Sequence, residues 1–294
     1  MFGHLLPRAL LCLPAFLLVP SMVAAAGLDL PFTVTKPAGD GPFPAVVILH
    51  DCSGLGPRSS GAPWRWATEL TGRGYVTIWP DSFTTRQHPR GVCTDASPRV
   101  TFAERANDAY AALDHLRTLS YVDAKRIAVM GGSHGGSSTL ATIVNAPLNT
   151  QRQTPPFAAA IALYPGCGRT FGGWSVTRAK DHPNMIVGYS GAFKPLAPLL
   201  ILIGELDDWT PPEPCRKLAA ASQQAGYPVE LVVYPGAHHS FDSQAPIRFI
   251  AERINISSPT GRGATTGGNE KAWTDSIARV EAFLAAHLGS ALKK

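Results

Sequence analysis

The sequence predicts an α/β domain in which helices cover both faces of a mostly parallel central sheet. Short, continuously apolar runs recur along the chain, as expected of strands buried on both faces. Segments with helical spacing of apolar residues separate these runs, and turns rich in glycine or proline follow them. The length of 294 residues suits one large α/β domain better than two.

The elements of this domain follow one another from residue 30 to the end of the chain. Strands are predicted at 30–36, 44–50, 75–79, around Ile127, and at 157–164, 199–204 and 229–234. Helices are predicted at 66–74, 102–116, 213–225 and 273–288.

Two segments have no clear periodicity. Residues 166–197 are rich in glycine, proline and aromatic residues, so we expect an insertion or part of a pocket wall. Residues 243–271 are polar and glycine-rich, which indicates a long surface loop or a lid. No repeat and no second apolar core divide the chain, so a single domain is expected.

Composition and charge exclude several classes of protein. Hydrophobic residues make up 45% of the chain and charged residues 16%, which indicates a globular protein with a substantial core. The formal net charge of +5 is spread along the sequence without a run of Lys or Arg. The sequence therefore predicts no nucleic-acid partner.

The first 26 residues are expected to lie outside the fold as a signal peptide. Arg8 ends a short basic start, residues 9–23 are apolar, and three alanines at 24–26 fit cleavage after small side chains. The apolar run is short and two prolines interrupt it, which argues against a membrane anchor. The mature chain, residues 27–294, is expected to be exported, periplasmic or secreted, with no stable membrane anchor.

The stretch that ends in a Gly-x-Ser-x-Gly motif predicts a nucleophile. A β-branched run leads into Gly131-Gly132-Ser133-His134-Gly135, and a small-residue segment follows. This pattern indicates strand, sharp turn and helix with Ser133 at the apex, where neighbouring residues must lack a Cβ. The turn would expose the serine Oγ above the sheet edge, so we favour a nucleophile over an ordinary serine at a glycine-rich helix start.

An active serine requires a base that takes its proton and an acid that orients the base. In α/β-hydrolases these partners follow the serine as acid and then histidine, each on a loop after a strand. The loop after the sixth predicted strand offers Asp207 and Asp208. Asp207 has the usual spacing, three residues after Gly204 and four before Pro211, whereas Asp208 is expected to be exposed or to cap the next helix.

The loop after the last predicted strand contains the adjacent residues His238 and His239. Adjacent side chains cannot point the same way, so one is expected to be the base and the other structural. His239, directly before Ser240 and Phe241, fits the base position better. No carboxylate or cysteine pattern with zinc spacing lies nearby, so neither a metal nor a cofactor is expected.

The remaining requirement is a pair of N–H groups that stabilise the oxyanion. One is expected from the backbone of His134, and the second from the loop after the first core strand, at the N–H of Cys52. Cys52 lies on the wrong loop to be the nucleophile itself. His50, at the end of that strand, is expected to pack in the core or to support the site.

Four cysteines remain after removal of the predicted signal peptide. An even number in an exported chain favours two disulfides over free thiols, and four cysteines allow three pairings. All four lie on loops at the same edge of the predicted sheet. Cys93 follows the strand next to the Cys52 loop, and Cys167 and Cys215 flank the loops around the predicted acid. We therefore expect the pairs Cys52–Cys93 and Cys167–Cys215.

Taken together, these motifs resemble the dienelactone hydrolase family of α/β-hydrolases. The resemblance extends from Pro44 to the last helix, thus over nearly all of the mature chain. Its motifs are His50-Asp51-Cys52-Ser53-Gly54, Pro80-Asp81 with Arg86-Gln87-His88-Pro89, the Ser133 turn, Gly204 to Pro211, and Ala237 to Phe241.

The sequence departs from the best-known members of that family in two respects, the catalytic residues and the residues that hold the substrate carboxylate. Those members carry a cysteine nucleophile and a glutamate on the first loop, where this chain has Ser133 and Asp51. They also hold the substrate carboxylate with two arginines; Arg86 matches the first, and Ser243 occupies the position of the second. The resemblance implies that Arg86 and Asp51 lie near the substrate, but weakens the case for the acidic lactone.

The sequence as a whole predicts a serine hydrolase that acts on a small carboxylic ester or lactone. The predicted triad is Ser133, His239 and Asp207, and Trp209 is expected to contact the substrate. A peptidase of the prolyl-oligopeptidase type shares this core, but the chain lacks the propeller domain that usually accompanies it. A hydrolase-like binding protein without catalysis is the alternative from another class, and the complete set of triad residues argues against it.

Overall fold

An eight-stranded sheet forms the centre of the computed structural model, which describes residues 19–25, 28–95, 100–144 and 157–291. Its strands are β1 (Val19–Ala25), β2 (Leu28–Thr35), β3 (Phe43–Leu49), β4 (Val76–Pro80), β5 (Val122–Gly132), β6 (Ala159–Leu163), β9 (Leu199–Gly204) and β10 (Val229–Tyr234). Two hairpins outside this sheet contain β7 (Ser175–Arg178) with β8 (Ile186–Ser190), and β11 (Arg248–Ile254) with β12 (Arg262–Thr266).

The spatial order of the central strands is β1-β2-β4-β3-β5-β6-β9-β10. The six strands from β4 to β10 run parallel, whereas β2 pairs antiparallel with β4 and with β1. Parallel strands end at the same edge of a sheet, so the loops after β3, β5, β9 and β10 share one edge. The predicted fold class, a mostly parallel sheet, is therefore confirmed.

In the part of the chain that the structure describes, five α-helices cover the sheet: α1 (Ala62–Gly72), α2 (Phe102–Thr118), α3 (His134–Thr142), α4 (Pro212–Gln224) and α5 (Glu270–Leu288). The side chains of β2 show that they lie on both faces. Phe32 stacks on His115 of α2, whereas Thr35 bonds to Thr71 of α1. Residues an odd number apart in a strand point to opposite faces, so α1 and α2 lie on opposite faces.

The sequence explains both the burial of the strands and the start of α2. Every residue of β6 and β9 is buried, as their apolar runs predict. Helix α2 begins with a capping box, in which Thr101 Oγ1 accepts from the N–H of Glu104 and the Glu104 carboxylate accepts from the N–H of Thr101. This cap sets the first turn of the helix that carries Arg105.

The segment expected as a long polar loop, residues 243–271, instead contains the β11–β12 hairpin. Most side chains of β11 are exposed. Because β11 has no buried face, its sequence does not alternate between apolar and polar residues in the way that would predict a strand. The hairpin is bonded to the loop after β9: Asp208 accepts from the N–H and hydroxyl of Thr265, and Trp209 Nε1 donates to the carbonyl of Ile254. These bonds attach it beside the site. Residues 166–197 likewise contain the β7–β8 hairpin.

The predicted signal peptide lies mostly outside the described residues, which begin at Val19 and omit 26–27. Residues 19–25 form β1, and every residue of β1 pairs with a residue of β2. This pairing differs from the expectation that 1–26 lie outside the fold. If the chain is cleaved after residue 26, β2 becomes the edge strand of the mature sheet. None of the helices in the described ranges has the length and hydropathy of a transmembrane segment.

Candidate active site

Ser133 occupies a strained turn between β5 and α3. Its φ of 55° and ψ of −115° lie in a region that non-glycine residues rarely adopt. The turn is held by a hydrogen bond from the Ser133 N–H to the carbonyl of Leu163 (2.9 Å). A Cβ at Gly135 would lie 2.0 Å from the carbonyl oxygen of Leu49, so the backbones approach too closely for any other residue. The glycines of the motif are therefore a steric requirement of this turn.

The structure brings Ser133, His239 and Asp207 into one chain of hydrogen bonds. His239 Nε2 lies 2.9 Å from Ser133 Oγ, and His239 Nδ1 lies 2.8 Å from Asp207 Oδ2. The side chains come from the loops after β5, β10 and β9, and at most 8% of each residue is exposed. With Nδ1 donating to the carboxylate, the lone pair of Nε2 faces the serine hydroxyl.

Asp207 is oriented by the residues that follow it. Its Oδ1 accepts from the N–H groups of Trp209 (3.0 Å) and Thr210 (2.8 Å). The hydroxyl of Thr210 lies 2.9 Å from Asp207 Oδ2 and 3.0 Å from His239 Nδ1. Thr210 was not predicted from the sequence, although its position three residues after an aspartate on a turn is typical of such bonds.

The neighbours that the sequence offered as alternatives point elsewhere. Asp208 is exposed and accepts from the N–H (2.8 Å) and hydroxyl (2.7 Å) of Thr265. It therefore anchors the β11–β12 hairpin and does not cap a helix. His238 Nδ1 lies 3.0 Å from the carbonyl of Leu206. Within the described residues, no group of His, Cys, Asp or Glu forms a metal-binding cluster.

The backbone N–H groups of Cys52 and His134 have no acceptor among the described residues. Both residues line the same cavity as Ser133. Across the described part of the chain, neither N–H donates a hydrogen bond, and the N–H of His134 is at the first turn of α3, where no intrahelical acceptor exists. Two free donors beside the serine of the Gly-x-Ser-x-Gly turn have the composition of an oxyanion hole.

A buried arginine that the sequence analysis missed lies behind these two donors. Arg105 of α2 is fully buried and donates to the carbonyl of His50 (2.7 Å) and to His134 Nδ1 (2.8 Å). Arginine has no acceptor, so His134 Nδ1 must accept and the imidazole is neutral. Burial and the charge of Arg105 hold the pKa of His134 well below 6.5. Burial also lowers the pKa of Arg105 to about 10, which leaves it protonated at neutral pH.

A second buried hydrogen-bond network packs against His239. The Tyr164 ring packs edge-on against the imidazole, with 4.7 Å between the ring centroids, and the Tyr164 hydroxyl donates to Asp242 Oδ1 (2.9 Å). Trp66 Nε1 donates to the other oxygen of Asp242 (2.8 Å). Burial raises the pKa of Asp242 and of the Tyr164 hydroxyl. The network supports the ring that bridges Ser133 and Asp207.

Two disulfides brace the loops of the site. Cys52 is bonded to Cys93 and Cys167 to Cys215, with Cα–Cα distances of 4.9 and 5.0 Å. These are the pairs expected from the sequence. The first ties down the loop that carries the Cys52 N–H, and the second joins the loop after β6 to α4, next to the loop of Asp207.

The three residues predicted to contact substrate have different surroundings. Arg86 is bound through both terminal nitrogens to Asp108 (2.8 Å each) and does not line the cavity. Asp51 is buried, and its carboxylate accepts from the N–H of Ser53 (2.6 Å) and the hydroxyl of Ser60. Neither residue lines the cavity, because Arg86 is bonded to Asp108 of α2 and Asp51 is bonded within its own loop. Their contact with the substrate stays a prediction. Trp209 does line the cavity, with its ring 4.8 Å from that of His239.

The cavity in front of Ser133 has a volume of about 420 Å³, within the range of small-molecule sites. Its walls include Met185 and Ile186 at the β7–β8 hairpin, so the segment 166–197 does form part of the pocket wall. Two other arginines, Arg169 and Arg178, line it in place of Arg86.

The sequence profile of the dienelactone hydrolase family matches residues 31–288, from β2 through α5. The chain belongs to this family. A lactone is an internal ester, so this member of the dienelactone hydrolase family is a carboxylic ester hydrolase. The family resemblance read from the sequence is thereby confirmed.

Individual relatives of this family member are distant. It is 26% identical over 227 residues to a Salmonella typhimurium (strain LT2) protein named "Putative carboxymethylenebutenolidase", covering 75% of this chain and 76% of that protein. A Klebsiella pneumoniae structure described as "Putative Dienelactone Hydrolase" superposes with a TM-score of 0.66 at 20% identity, covering 92% of this chain and 99% of that one. The structure of Thermogutta terrifontis esterase 2 phosphorylated by paraoxon superposes with a TM-score of 0.61 at 23% identity, covering 93% of this chain and 96% of that one. The two structural likenesses show the shared fold.

Proposed function

We propose that the protein is an exported serine hydrolase that cleaves small carboxylic esters or lactones through an acyl-enzyme on Ser133. The observation that carries this proposal is the chain of contacts from Ser133 Oγ through the His239 imidazole to Asp207, at 2.9 and 2.8 Å. A base within hydrogen-bond reach of a serine, itself oriented by a buried carboxylate, is the arrangement that nucleophilic catalysis needs.

In the first half-reaction, Ser133 Oγ attacks the carbonyl carbon of the ester and its proton passes to His239 Nε2. The negative charge on the carbonyl oxygen is stabilised by the N–H groups of His134 and Cys52. The tetrahedral intermediate collapses, the C–O bond to the alcohol breaks, and the leaving oxygen takes the proton from His239. The acyl group remains on Ser133.

In the second half-reaction, water takes the place of the alcohol. It gives a proton to His239 Nε2 and attacks the acyl carbon, and the same two N–H groups stabilise the new oxyanion. The bond to Ser133 breaks and the serine oxygen regains the proton, which releases the carboxylic acid. In a lactone, acid and alcohol are parts of one product. Asp207 keeps its negative charge throughout and stabilises the protonated imidazole.

Two features support an exported location for this activity. The sequence has a basic start, an apolar stretch and small residues at 24–26. The two disulfides favour an oxidising compartment over the cytosol. Fractionation of the producing cells, followed by N-terminal sequencing, tests this: a mature chain that begins at Gly27 is expected, whereas an intact cytosolic chain would contradict export.

Covalent labelling tests the catalytic proposal. Paraoxon phosphorylates Thermogutta terrifontis esterase 2, so we expect it to modify Ser133 here, with a mass increase on the tryptic peptide of the turn and loss of p-nitrophenyl acetate hydrolysis. The S133A variant should show neither the mass increase nor hydrolysis of p-nitrophenyl acetate. S222A is a matched control, since Ser222 is buried in α4 and bonded to the carbonyl of Leu218; it should behave as wild type.

The size of the cavity leads to an expectation for the acyl chain. A volume of about 420 Å³ admits a small ester but not a long acyl group. Hydrolysis of p-nitrophenyl acetate and butyrate should therefore exceed that of the palmitate in kcat/KM. Modification at a residue other than Ser133, or full activity in S133A, would overturn the proposed mechanism.

A further inference from the structure

Arg105 is a buried cation whose hydrogen-bond partners are all neutral. Arg105 is 0% exposed, and no ion pair joins its guanidinium to a carboxylate among the described residues. Asp108 attracts it only from beyond ion-pair distance. The guanidinium contacts the carbonyl of His50, the imidazole of His134 and the ring face of Phe83, 5.1 Å from the ring centroid. Its Nε has no hydrogen-bond partner among the described residues.

A charge held in this way is costly for folding. Moving a cation out of water carries a penalty that only a well-placed counter-ion or a full set of acceptors offsets. Arg86 on the neighbouring loop is different, since two 2.8 Å bonds join it to Asp108. An apolar residue in the place of Arg105 would serve the core better, so stability does not explain its charge.

The two hydrogen bonds of Arg105 go to the loop that carries Cys52 and to the side chain of His134. One goes to the carbonyl of His50, two residues before Cys52 on the same loop. The other goes to the side chain of His134, whose own N–H is the second donor. One guanidinium therefore connects the loop after β3 to the first turn of α3 from behind.

We propose that Arg105 is a positioning residue for the oxyanion hole, which fixes the N–H donors of Cys52 and His134 and adds positive charge behind them. This inference rests on the proposed serine-hydrolase function. Negative charge appears on the substrate oxygen only at the tetrahedral stage. The guanidinium therefore stabilises the transition state more than the bound ester, and its loss should lower kcat and leave KM nearly unchanged.

The test compares R105M, R105K and L113A with wild type on p-nitrophenyl acetate. R105M removes the charge and both hydrogen bonds, and kcat should fall roughly 10- to 100-fold, less than for the loss of a direct donor. R105K keeps the charge and should recover at least part of this loss. Leu113 is fully buried on the same helix, eight residues or about 12 Å further along; L113A should lower the melting temperature but not kcat.

Inhibition by phenylboronic acid separates positioning from folding. Its adduct with Ser133 is tetrahedral and anionic, so R105M should raise its Ki by a factor similar to the fall in kcat, while L113A leaves Ki unchanged. The H134F variant lacks the imidazole that accepts from Arg105. Adding R105M to H134F should therefore change kcat and Ki by smaller factors than R105M does in the wild-type protein.

The outcomes separate this inference from the proposed function. Wild-type kcat and Ki in R105M, or losses no larger than those of L113A at matched melting temperature, would overturn the role of Arg105 alone. A wild-type protein that neither reacts with paraoxon at Ser133 nor hydrolyses the ester would overturn the proposed function, and the role of Arg105 with it.

Discussion

Replacement of Asp207 by Asn should remove the base from the active site without changing its shape. Oδ1 of Asp207 accepts two backbone N–H groups, from Trp209 and Thr210, and only an oxygen can do so. In D207N the amide nitrogen must therefore take the position of Oδ2, 2.8 Å from His239 Nδ1. The amide donates where the carboxylate accepted, so the imidazole proton moves to Nε2 and Ser133 loses its acceptor.

The expected magnitude follows from this change of tautomer. An equivalent Asp→Asn substitution in a serine-protease triad lowers kcat about 10⁴-fold, which corresponds to about 5 kcal/mol in the barrier. Substrate binding does not involve the proton, so KM should change little. The melting temperature should also stay close to that of wild type, because the two backbone hydrogen bonds are retained.

D208N is the matched control for this prediction. Asp208 is exposed, and an asparagine there still accepts from the N–H of Thr265 and donates to its hydroxyl. Its kcat should lie within about threefold of wild type, as for most surface substitutions. Initial rates with p-nitrophenyl acetate over a range of concentrations give kcat and KM for both variants. A D207N enzyme with more than a tenth of wild-type kcat, or an inactive D208N enzyme, would refute the assignment of the acid.

Further predictions concern the turn, the buried histidines and the disulfides. G135A places a Cβ 2.0 Å from the carbonyl of Leu49 and should cost about 1–3 kcal/mol or more in urea unfolding. A Cβ added at Gly72 would have no atom within 4 Å, so G72A should raise the free energy of unfolding by about 0.5 kcal/mol. Equal changes in the free energy of unfolding for G135A and G72A would contradict the steric argument. His50 and His134 have pKa values held well below 6.5 by burial and by Arg105. Only the unfolded chain then takes up their protons, so the free energy of unfolding should be constant above pH 6.5 and fall below it, by up to about 1.4 kcal/mol per pH unit for each histidine. A flat profile from pH 7 to 5 would contradict this. Reduction of both disulfides should lower stability by about 2–5 kcal/mol each and reduce ester hydrolysis, which urea unfolding and rates with and without a phosphine reductant would measure.

Local sequence patterns determined the parallel strands of the central sheet and the loops that carry Ser133, Asp207 and His239. Their signals lie within a few residues of one another: apolar runs for buried strands, and a serine between close glycines for the turn. Parallel strands then bring the loops to one edge. Asp207 follows from the same logic, because its spacing from Gly204 and Pro211 is local.

The β11–β12 hairpin was not predictable in this way, since exposed strand residues carry no apolar alternation. Its place depends on distant partners, such as the bond between Asp208 and Thr265. The ion pair of Arg86 with Asp108 is likewise a contact between separate segments, and no local pattern predicts it.

The sequence by itself determined the parallel strands of the central sheet, the turn around Ser133 and the order of its partners, because each depends on neighbouring residues. Only the tertiary structure decided which polar groups are buried and what they contact. Arg105 looks in the sequence like any charged residue of an amphipathic helix. Its burial against His50 and His134 depends on how α2, β3 and α3 pack, and no local pattern contains that information.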